Sequence, residues 1–399
     1  MQRQITFDYR HFWDQVMVPN YATPAVTLAR GLGCEVWDTE GKRYLDFIGG
    51  LAVLSLGHAH PRLTQAIAKQ AALLGHVSNL YGNLPALRLA GRLTALSGLD
   101  RALFLNSGAE ANEAAIKLAR KWGTGRGVIG GEIVAAENGF HGRTLGALAA
   151  TGQPKYHRNF EPLPPGFRHV PYNDLHALEA ALTPRTVAVM LEPIQGEGGV
   201  VPADVEYLKA VRELCTEKNV LLILDEVQTG VGRTGAMFAF EKYGVKPDIL
   251  TLAKGLGGGF PIAALLAREP VARAFAPGDH GCTFGGNPLA AAAALAVLDA
   301  LEEESLLANA AERGRELARA IHQKCAKHVD EVRGEGLLLG VVLKSPVARK
   351  AKEEAEKRGL LVNAVGDQVI RLAPPLVLSA AQVEEGVSIL KDVLGAAKP

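Results

Sequence analysis

The 399-residue sequence holds only four cysteines, Cys34, Cys215, Cys282 and Cys325, and none forms a CxxC or other close pair. A cysteine-built zinc site and a disulfide framework are therefore not expected, and a reducing, cytoplasmic compartment fits. Excess charge is also missing. Lys plus Arg number 43 against 42 for Asp plus Glu, a formal charge of +1. No electrostatic field then draws the chain to nucleic acid or to an anionic membrane. Long apolar runs are absent too. The most apolar helical stretch, Leu289–Leu298, stops at Asp299 and is too short to cross a bilayer. The opening MQRQITFDYRHFWDQ has no apolar core behind a basic head, so no signal peptide is expected. Residues 1–17 carry no readable motif.

What remains is a large globular chain. Hydrophobic residues make up 48% and charged residues 21%, which excludes disorder and permits a sizeable core. At about 150 residues per domain the length suggests two to three domains. Glycine is abundant, 44 residues, where the usual share of about 7% gives roughly 28. The excess is clustered.

Residues 34–47 alternate in polarity around Glu40-Gly41 and predict a hairpin. Pro61 opens a helix to about Leu74, and another covers Pro85–Leu96. From residue 100 short apolar strands alternate with helices. Strands are expected at Ala102–Leu105, Glu132–Ala136, Val187–Leu191, Val220–Leu224, Ile249–Leu252 and Ala263–Ala267. Helices are expected at Ala109–Trp122 and Ala203–Lys218. This alternation predicts an α/β fold with a largely parallel sheet. From Leu301 the composition turns charged, with one long helix through LEEESLLANAAERGRELARAIHQKCAKH. Strands at Gly336–Leu343 and Val369–Leu372 and helices at Ala348–Arg358 and Ala380–Leu394 follow. The expected organisation is an N-terminal segment, 1–55, joining a small α+β domain at 301–399, with a large domain at 56–300 between them.

In open α/β sheets ligands bind beyond the carboxyl ends of the strands. Five expected strand ends carry polar groups or glycines. They are Asn106-Ser107-Gly108-Ala109, Glu137 to Arg143, Glu192 to Gly199, Asp225 to Gln228, and Ala253-Lys254-Gly255. Ser107-Gly108-Ala109 opens a helix and offers an anion seat, or else a plain N-cap. No GxxxxGK[ST] occurs, and Gly255–Gly259 lacks the GxGxxG spacing, so neither nucleotide signature is supported. Asp225 follows an apolar strand and needs a cation there. A protonated heterocycle nitrogen, a salt bridge to Arg233 or an N-cap would each serve. A magnesium site beside Glu226 is disfavoured without a phosphate loop. His58 and His60 in GHAHP have no Cys or acidic cluster around them, so no metal site is expected.

Lys254 follows the next strand and precedes glycines, the setting of a nucleophilic lysine or of an ordinary surface lysine. One cofactor accounts for all three strand ends: pyridoxal 5'-phosphate. Its phosphate suits the helix terminus, its ring nitrogen Asp225 and its aldehyde Lys254. In that frame Phe140 and Val227 flank the ring, and Gln228 meets the ring hydroxyl. Arg143 clamps a substrate carboxylate, and Arg371, following apolar Val369-Ile370, requires an anion. Glu197 lies in a GEGG turn. His141 is either a ring-side group or a hydrogen-bonded structural histidine.

Six motifs then carry a family resemblance over nearly the whole chain. They are NSGAEANEAAIKLAR (106–120), NGFHGRT (138–144), EPIQGEGGV (192–200), LDEVQTGVGRTG (224–235), AKGLGGGFP (253–261) and TFGGNPLA (283–290). Together they resemble the class III, or ornithine-type, aminotransferases of PLP fold type I. The resemblance implies a large domain with a mostly parallel seven-stranded sheet flanked by helices, plus a smaller α+β domain. It implies that Lys254 is the lysine that holds the cofactor and Asp225 the pyridinium partner. Ser107, Gly108 and Ala109 become the phosphate cup, Phe140 the stacking aromatic, and Gln228 the neighbour of the ring hydroxyl. Thr283 becomes the residue that reaches the phosphate of a neighbouring subunit, which implies a homodimer with shared active sites. Arg143 and Arg371 become carboxylate-binding arginines, Glu197 the switch partner of Arg371, and Tyr21 a further substrate-side group.

The resemblance implies transfer of the δ-amino group of N2-acetylornithine to 2-oxoglutarate, giving N-acetylglutamate 5-semialdehyde and glutamate. The His in Phe140-His141-Gly142-Arg143 and the run Gly49–Val53 lean toward the acetylornithine pattern; ornithine δ-aminotransferases resemble FWGR instead. The loop Asn79–Pro85 departs from many relatives near the substrate entrance. Other donors stay open on that account: succinylornithine, an acyl-lysine, a lysine linked to a carrier protein, ornithine or 4-aminobutyrate. A non-enzymatic scaffold is the remaining alternative, against which intact Lys254, Asp225 and Arg143 speak.

Overall fold

The computed structural model describes residues 8–397, so the first seven residues of the segment read for a signal peptide lie outside the described residues. The amino-terminal strands β1 (Leu28–Leu32), β2 (Glu35–Asp38) and β3 (Arg43–Asp46) pair antiparallel in sequence order. The expected hairpin is β2–β3, with Gly41 at φ 87° in its turn, a conformation that favours glycine. β1 was not anticipated. Four of its five residues are exposed, so it carries little apolar signal. The short strand Leu360–Leu361 pairs parallel to β3, which joins the amino-terminal segment to the carboxyl-terminal region.

The central sheet contains β4 (Arg101–Leu105), β5 (Glu132–Ala136), β6 (Phe167–Val170), β7 (Thr186–Leu191), β8 (Leu221–Asp225), β9 (Ile249–Leu252) and β10 (Ala263–Ala267). Their spatial order is β4-β10-β9-β8-β7-β5-β6. All are parallel except β10, which is antiparallel to both neighbours. The ten residues between β9 and β10 hold one 3₁₀ turn, too little for a helical crossover, so the chain doubles back. β6 has no clear sequence signal. It is one of the two edge strands, and Arg168 stays exposed within it. The inner strands β7, β8 and β9 are buried at every position, and each Val, Leu or Ile there contributes about 1.5–3 kcal/mol.

Helices cover both faces of this sheet. Pro288–Glu303 presents Ala290, Ala291, Ala293 and Ala294 to the interior and packs against Pro61–Ala71 and Leu84–Ser97. Small side chains allow that close approach. The single long helix expected from Leu301 is instead two elements. The chain breaks at Ser305, with φ 54°, and a second helix runs Leu306–Cys325. The second sheet has the order β11 (Val329–Glu335), β12 (Leu338–Leu343), β14 (Val369–Leu372), β13 (Asn363–Val365), all antiparallel. Leu306–Cys325 and Ala380–Ala396 pack together beside it.

Among the described residues no helix is long and apolar enough to cross a membrane, and no cluster of His, Cys, Asp and Glu is arranged to hold a metal. His58 Nε2 lies 3.0 Å from Asp46 and His60 Nε2 3.2 Å from Glu304, so both histidines pair with carboxylates.

Candidate active site

At the carboxyl ends of the central strands lies a cleft of about 400 Å³. Its walls include Ser107, Gly108, Ala109, Phe140, Arg143, Asp225, Val227, Gln228 and Lys254. The strand ends singled out by position therefore do converge.

The helix Gly108–Thr124 starts at the rim. Ser107 caps it, its Oγ accepting from Glu110 N at 3.3 Å, and the Glu110 carboxylate accepts from Asn106 N at 2.6 Å. Among the described residues no hydrogen bond engages the backbone N–H groups of Gly108 and Ala109 at the cleft wall. A helix N-terminus with free N–H groups attracts an anion. The absence of a side chain at Gly108 is required, since a Cβ there would meet Val227 Cγ1 at 2.8 Å.

Asp225 closes β8 and is 4% exposed. Its Oδ2 accepts from Asn112 Nδ2 at 2.7 Å and lies 2.8 Å from His141 Nδ1. Its Oδ1 accepts from Val227 N at 3.0 Å. Thr251 Oγ1 donates to Asn112 Oδ1 at 2.8 Å and fixes the amide. Burial disfavours the charged form of His141, but hydrogen bonding to Asp225 and the charges of Asp225 and Glu192 outweigh it and raise the pKa. The histidine is thus a structural partner of Asp225. Arg233, the candidate salt-bridge partner, lies elsewhere. It is fully buried, and its Nη1 donates to the carbonyls of Leu337 and Pro374.

Lys254 lies two residues beyond the end of β9, after Ala253, and takes φ 42°, an uncommon conformation for a residue with a side chain. The turn is tight. A Cβ at Gly255 would meet Ser55 Oγ at 2.6 Å. Burial pulls the Lys254 pKa down from 10.5 to about 8, with Glu197 opposing and Arg371 assisting. No hydrogen bond or ion pair engages its amine among the described residues, which leaves it free to react.

A second group borders the first. Arg371, on β14 and 2% exposed, places Nη1 2.5 Å from Glu197 Oε1 and 3.4 Å from Gln228 Oε1. Gln228 Nε2 donates to Glu197 at 3.3 Å. Burial raises the Glu197 pKa, but the Arg371 charge and hydrogen bond prevail and lower it. The anion that Arg371 needs is therefore Glu197, and Arg371 Nη2 still has no partner among the described residues. Arg143 is exposed at the mouth, its Cζ 3.9 Å from the Tyr156 ring centroid and 5.6 Å from that of Phe140.

Two candidates lie outside the cleft. Tyr21 is 72% exposed and follows the helix Tyr9–Val16. Thr283 is exposed on the loop preceding Pro288. Asn79 Nδ2 donates to the carbonyls of Cys282 and Gly285, and Asn83 Nδ2 to that of Gly286. The unusual entrance loop is thus fastened to the Thr283 loop. The sequence reading singles out neither Asn112 nor Tyr156, and it has Glu192 only as part of a strand end. Glu192 is buried and accepts from Phe140 N at 2.8 Å and Gly196 N at 3.3 Å. Desolvation raises its pKa to about 7. The available signal was an Asn on the apolar face of a helix.

The family model for class-III aminotransferases matches residues 16–394. An acetylornithine aminotransferase of Gloeobacter violaceus is 53% identical over 385 residues, 96% of each chain. The acetylornithine aminotransferase structure from Elizabethkingia anophelis has TM-score 0.86 and 37% identity, covering 96% of this chain and 97% of that one. An ornithine aminotransferase structure from Toxoplasma gondii, with partial occupancy of PLP at its active site, has TM-score 0.94 and 36% identity. It covers 99% and 96% of the two chains.

Proposed function

The chain belongs to the class-III aminotransferases, and from that premise we propose that it transfers the δ-amino group of N2-acetylornithine to 2-oxoglutarate with pyridoxal 5'-phosphate. The observation that carries this reading is one cleft holding a lysine amine pulled down to about 8, an anchored aspartate and a capped helix N-terminus. These residues fit the cofactor. The free N–H groups at Gly108 and Ala109, with Ser107, suit a phosphate. Asp225, held by three donors, suits a protonated ring nitrogen, and Phe140 and Val227 suit its two faces. When bound, the cofactor supplies an aldehyde that receives the amino group and a conjugated ring that spreads negative charge.

The chain's own residues supply the rest. Neutral Lys254 Nζ is the base that takes the proton from the carbon bearing the donor amine, and it returns that proton as an acid. Asp225 keeps the ring nitrogen protonated by its charge. Arg143 takes the α-carboxylate of the donor and the distal carboxylate of glutamate through its planar fork. Glu197 covers Arg371 while the donor is bound and yields it to the α-carboxylate of the dicarboxylate. Uncovered, Arg371 would repel the cationic amine of the donor.

Acetylornithine is favoured by the relatives' activity at about half identity over 96% of the chain, and the Glu197–Arg371 pair suits any donor whose reacting amine carbon bears no carboxylate. A homodimer with shared sites is part of the same reading. Thr283 lies outside its own cleft, and Leu80, Tyr81, Leu84, Leu87 and Phe284 near it are exposed. Tyr21, equally exposed, would meet substrate in that assembly. The cytoplasm is proposed from the four free cysteines.

The test is an absorbance titration of the cofactor-loaded protein with N-acetylornithine in the absence of 2-oxoglutarate. Stoichiometric conversion of the cofactor from its lysine-bound form to its amine form is expected. A cofactor spectrum indifferent to this amine, but responsive to succinylornithine, ornithine, 4-aminobutyrate or an acyl- or carrier-linked lysine, would overturn the donor assignment. Lys254→Ala should fold, retain the cofactor only non-covalently and turn over almost nothing.

A further inference from the structure

Arg143 poses a physical problem. It is exposed, and none of the described carboxylates is within ion-pair reach of it. A long side chain in water samples many rotamers, yet the proposed function asks this one to hold a planar fork at the cleft mouth. The contact that fixes it is aromatic. The Arg143 Cζ lies 3.9 Å from the centroid of Tyr156, a short distance for a cation over a ring face.

Tyr156 is itself held in place. It lies in the turn Pro154–His157, and its ring meets Phe140 edge-on, centroids 6.0 Å apart at 82°. Its N–H donates to Gln153 O at 2.9 Å. The side chain of buried Gln153 donates to the carbonyls of Asn138 and Gly139, at 3.0 and 3.2 Å. His157 Nε2 lies 2.7 Å from Thr151 O. The turn is thus tied to the loop that delivers Phe140 and Arg143. Lys155 Nζ lies 4.7 Å from the same ring.

We propose that Tyr156 is a positioning residue for substrate specificity: its ring face fixes the Arg143 guanidinium so that the in-plane N–H groups are presented to a substrate carboxylate. The geometry suits this role because stacking uses the face of the guanidinium, while its five donors lie in the plane and stay free for a bidentate partner. The inference rests on the reading that Arg143 receives the carboxylate.

The experiment compares Tyr156→Phe, Tyr156→Leu and Arg143→Gln in the holoenzyme. Donors are N-acetylornithine and N-acetylputrescine, which has the same amine and acyl group but no carboxylate. Tyr156→Leu should raise KM for N-acetylornithine roughly 3- to 30-fold, the range of a cation–π contact, with kcat little changed. Its kcat/KM for N-acetylputrescine should not fall, and Tyr156→Phe, which keeps the ring, should match the parent. Calorimetry with glutarate, a non-reacting dicarboxylate, should show the same weakening for Tyr156→Leu and none for Tyr156→Phe. An unchanged KM in Tyr156→Leu while Arg143→Gln is impaired overturns the role of Tyr156 alone. Equal losses on both donors, or a Phe variant as impaired as the Leu variant, also overturn it. An Arg143→Gln enzyme with unchanged KM for N-acetylornithine overturns the reading beneath it.

Discussion

Glu197 Oε1 stands 2.5 Å from Arg371 Nη1, although the two residues are 174 positions apart and belong to different parts of the fold. The same carboxylate oxygen accepts from Gln228 Nε2 at 3.3 Å. An arginine only 2% exposed is thereby neutralised by a group that lies on a turn, not in a strand. In the proposed function the pair acts as a removable cover, because another carboxylate can replace Glu197 without leaving Arg371 unpaired.

Glu197→Ala should impair N-acetylornithine more than glutamate. Without its partner, Arg371 stays charged and bare when the donor arrives, and its field opposes the donor's cationic amine. The expected ratio of the two losses in kcat/KM is about ten-fold, on the order of 1.4 kcal/mol. Half-reaction rates with each amine measure it, and equal losses would count against the cover.

As the proposed cofactor-holding lysine, Lys254 should set a pH dependence on cofactor capture by the apoprotein. Its pKa is pulled down to about 8 by burial, and only the neutral amine attacks an aldehyde. The rate of covalent capture should therefore rise with pH up to about 8 and flatten above it. Stopped-flow absorbance reads this rate. A rise continuing to pH 10 would mean that the lysine is not desolvated.

Glu226 sets a pH dependence on stability. It is 1% exposed, and its two oxygens accept from Ala239 N at 2.6 Å and Phe240 N at 2.8 Å. Desolvation raises its pKa from 4.5 to about 7 against those hydrogen bonds. A raised carboxyl pKa means that the folded state holds the proton more tightly than the unfolded chain. The contribution is therefore fully present below pH 4.5 and is lost as pH climbs to about 7. The loss is on the order of 3 kcal/mol. Relative to Glu226→Gln, which carries no titrating group, the parent apoprotein should lose stability between pH 5 and 8. Denaturant melts at the two pH values test this, and a constant difference between the proteins would refute it.

Much of the site was legible because its chemistry is local in sequence. Asp225 and Lys254 stand out as polar residues at or just beyond the ends of apolar strands, and Ser107-Gly108 reads as a helix start without any knowledge of the sheet. Strands β7, β8 and β9 are legible for the same reason: full burial demands uninterrupted apolar residues. Where burial is one-sided the signal fades. Edge strand β6 and exposed β1 escaped notice, and the break at Ser305 was hidden within a continuous helical pattern.

The sequence by itself determined the alternating α/β order, the residues at the strand ends and, through its motifs, the family resemblance. All three are encoded by neighbours along the chain, through periodicity, turn chemistry and residue type. Only the tertiary structure decided which groups meet. It gave Asp225 the amide of Asn112 and the ring of His141 in place of Arg233. It set Glu197 on Arg371 and laid Arg143 on Tyr156. Those partners come from segments up to 174 residues apart, and packing between layers, with the need of each buried charge for a partner, selects among them.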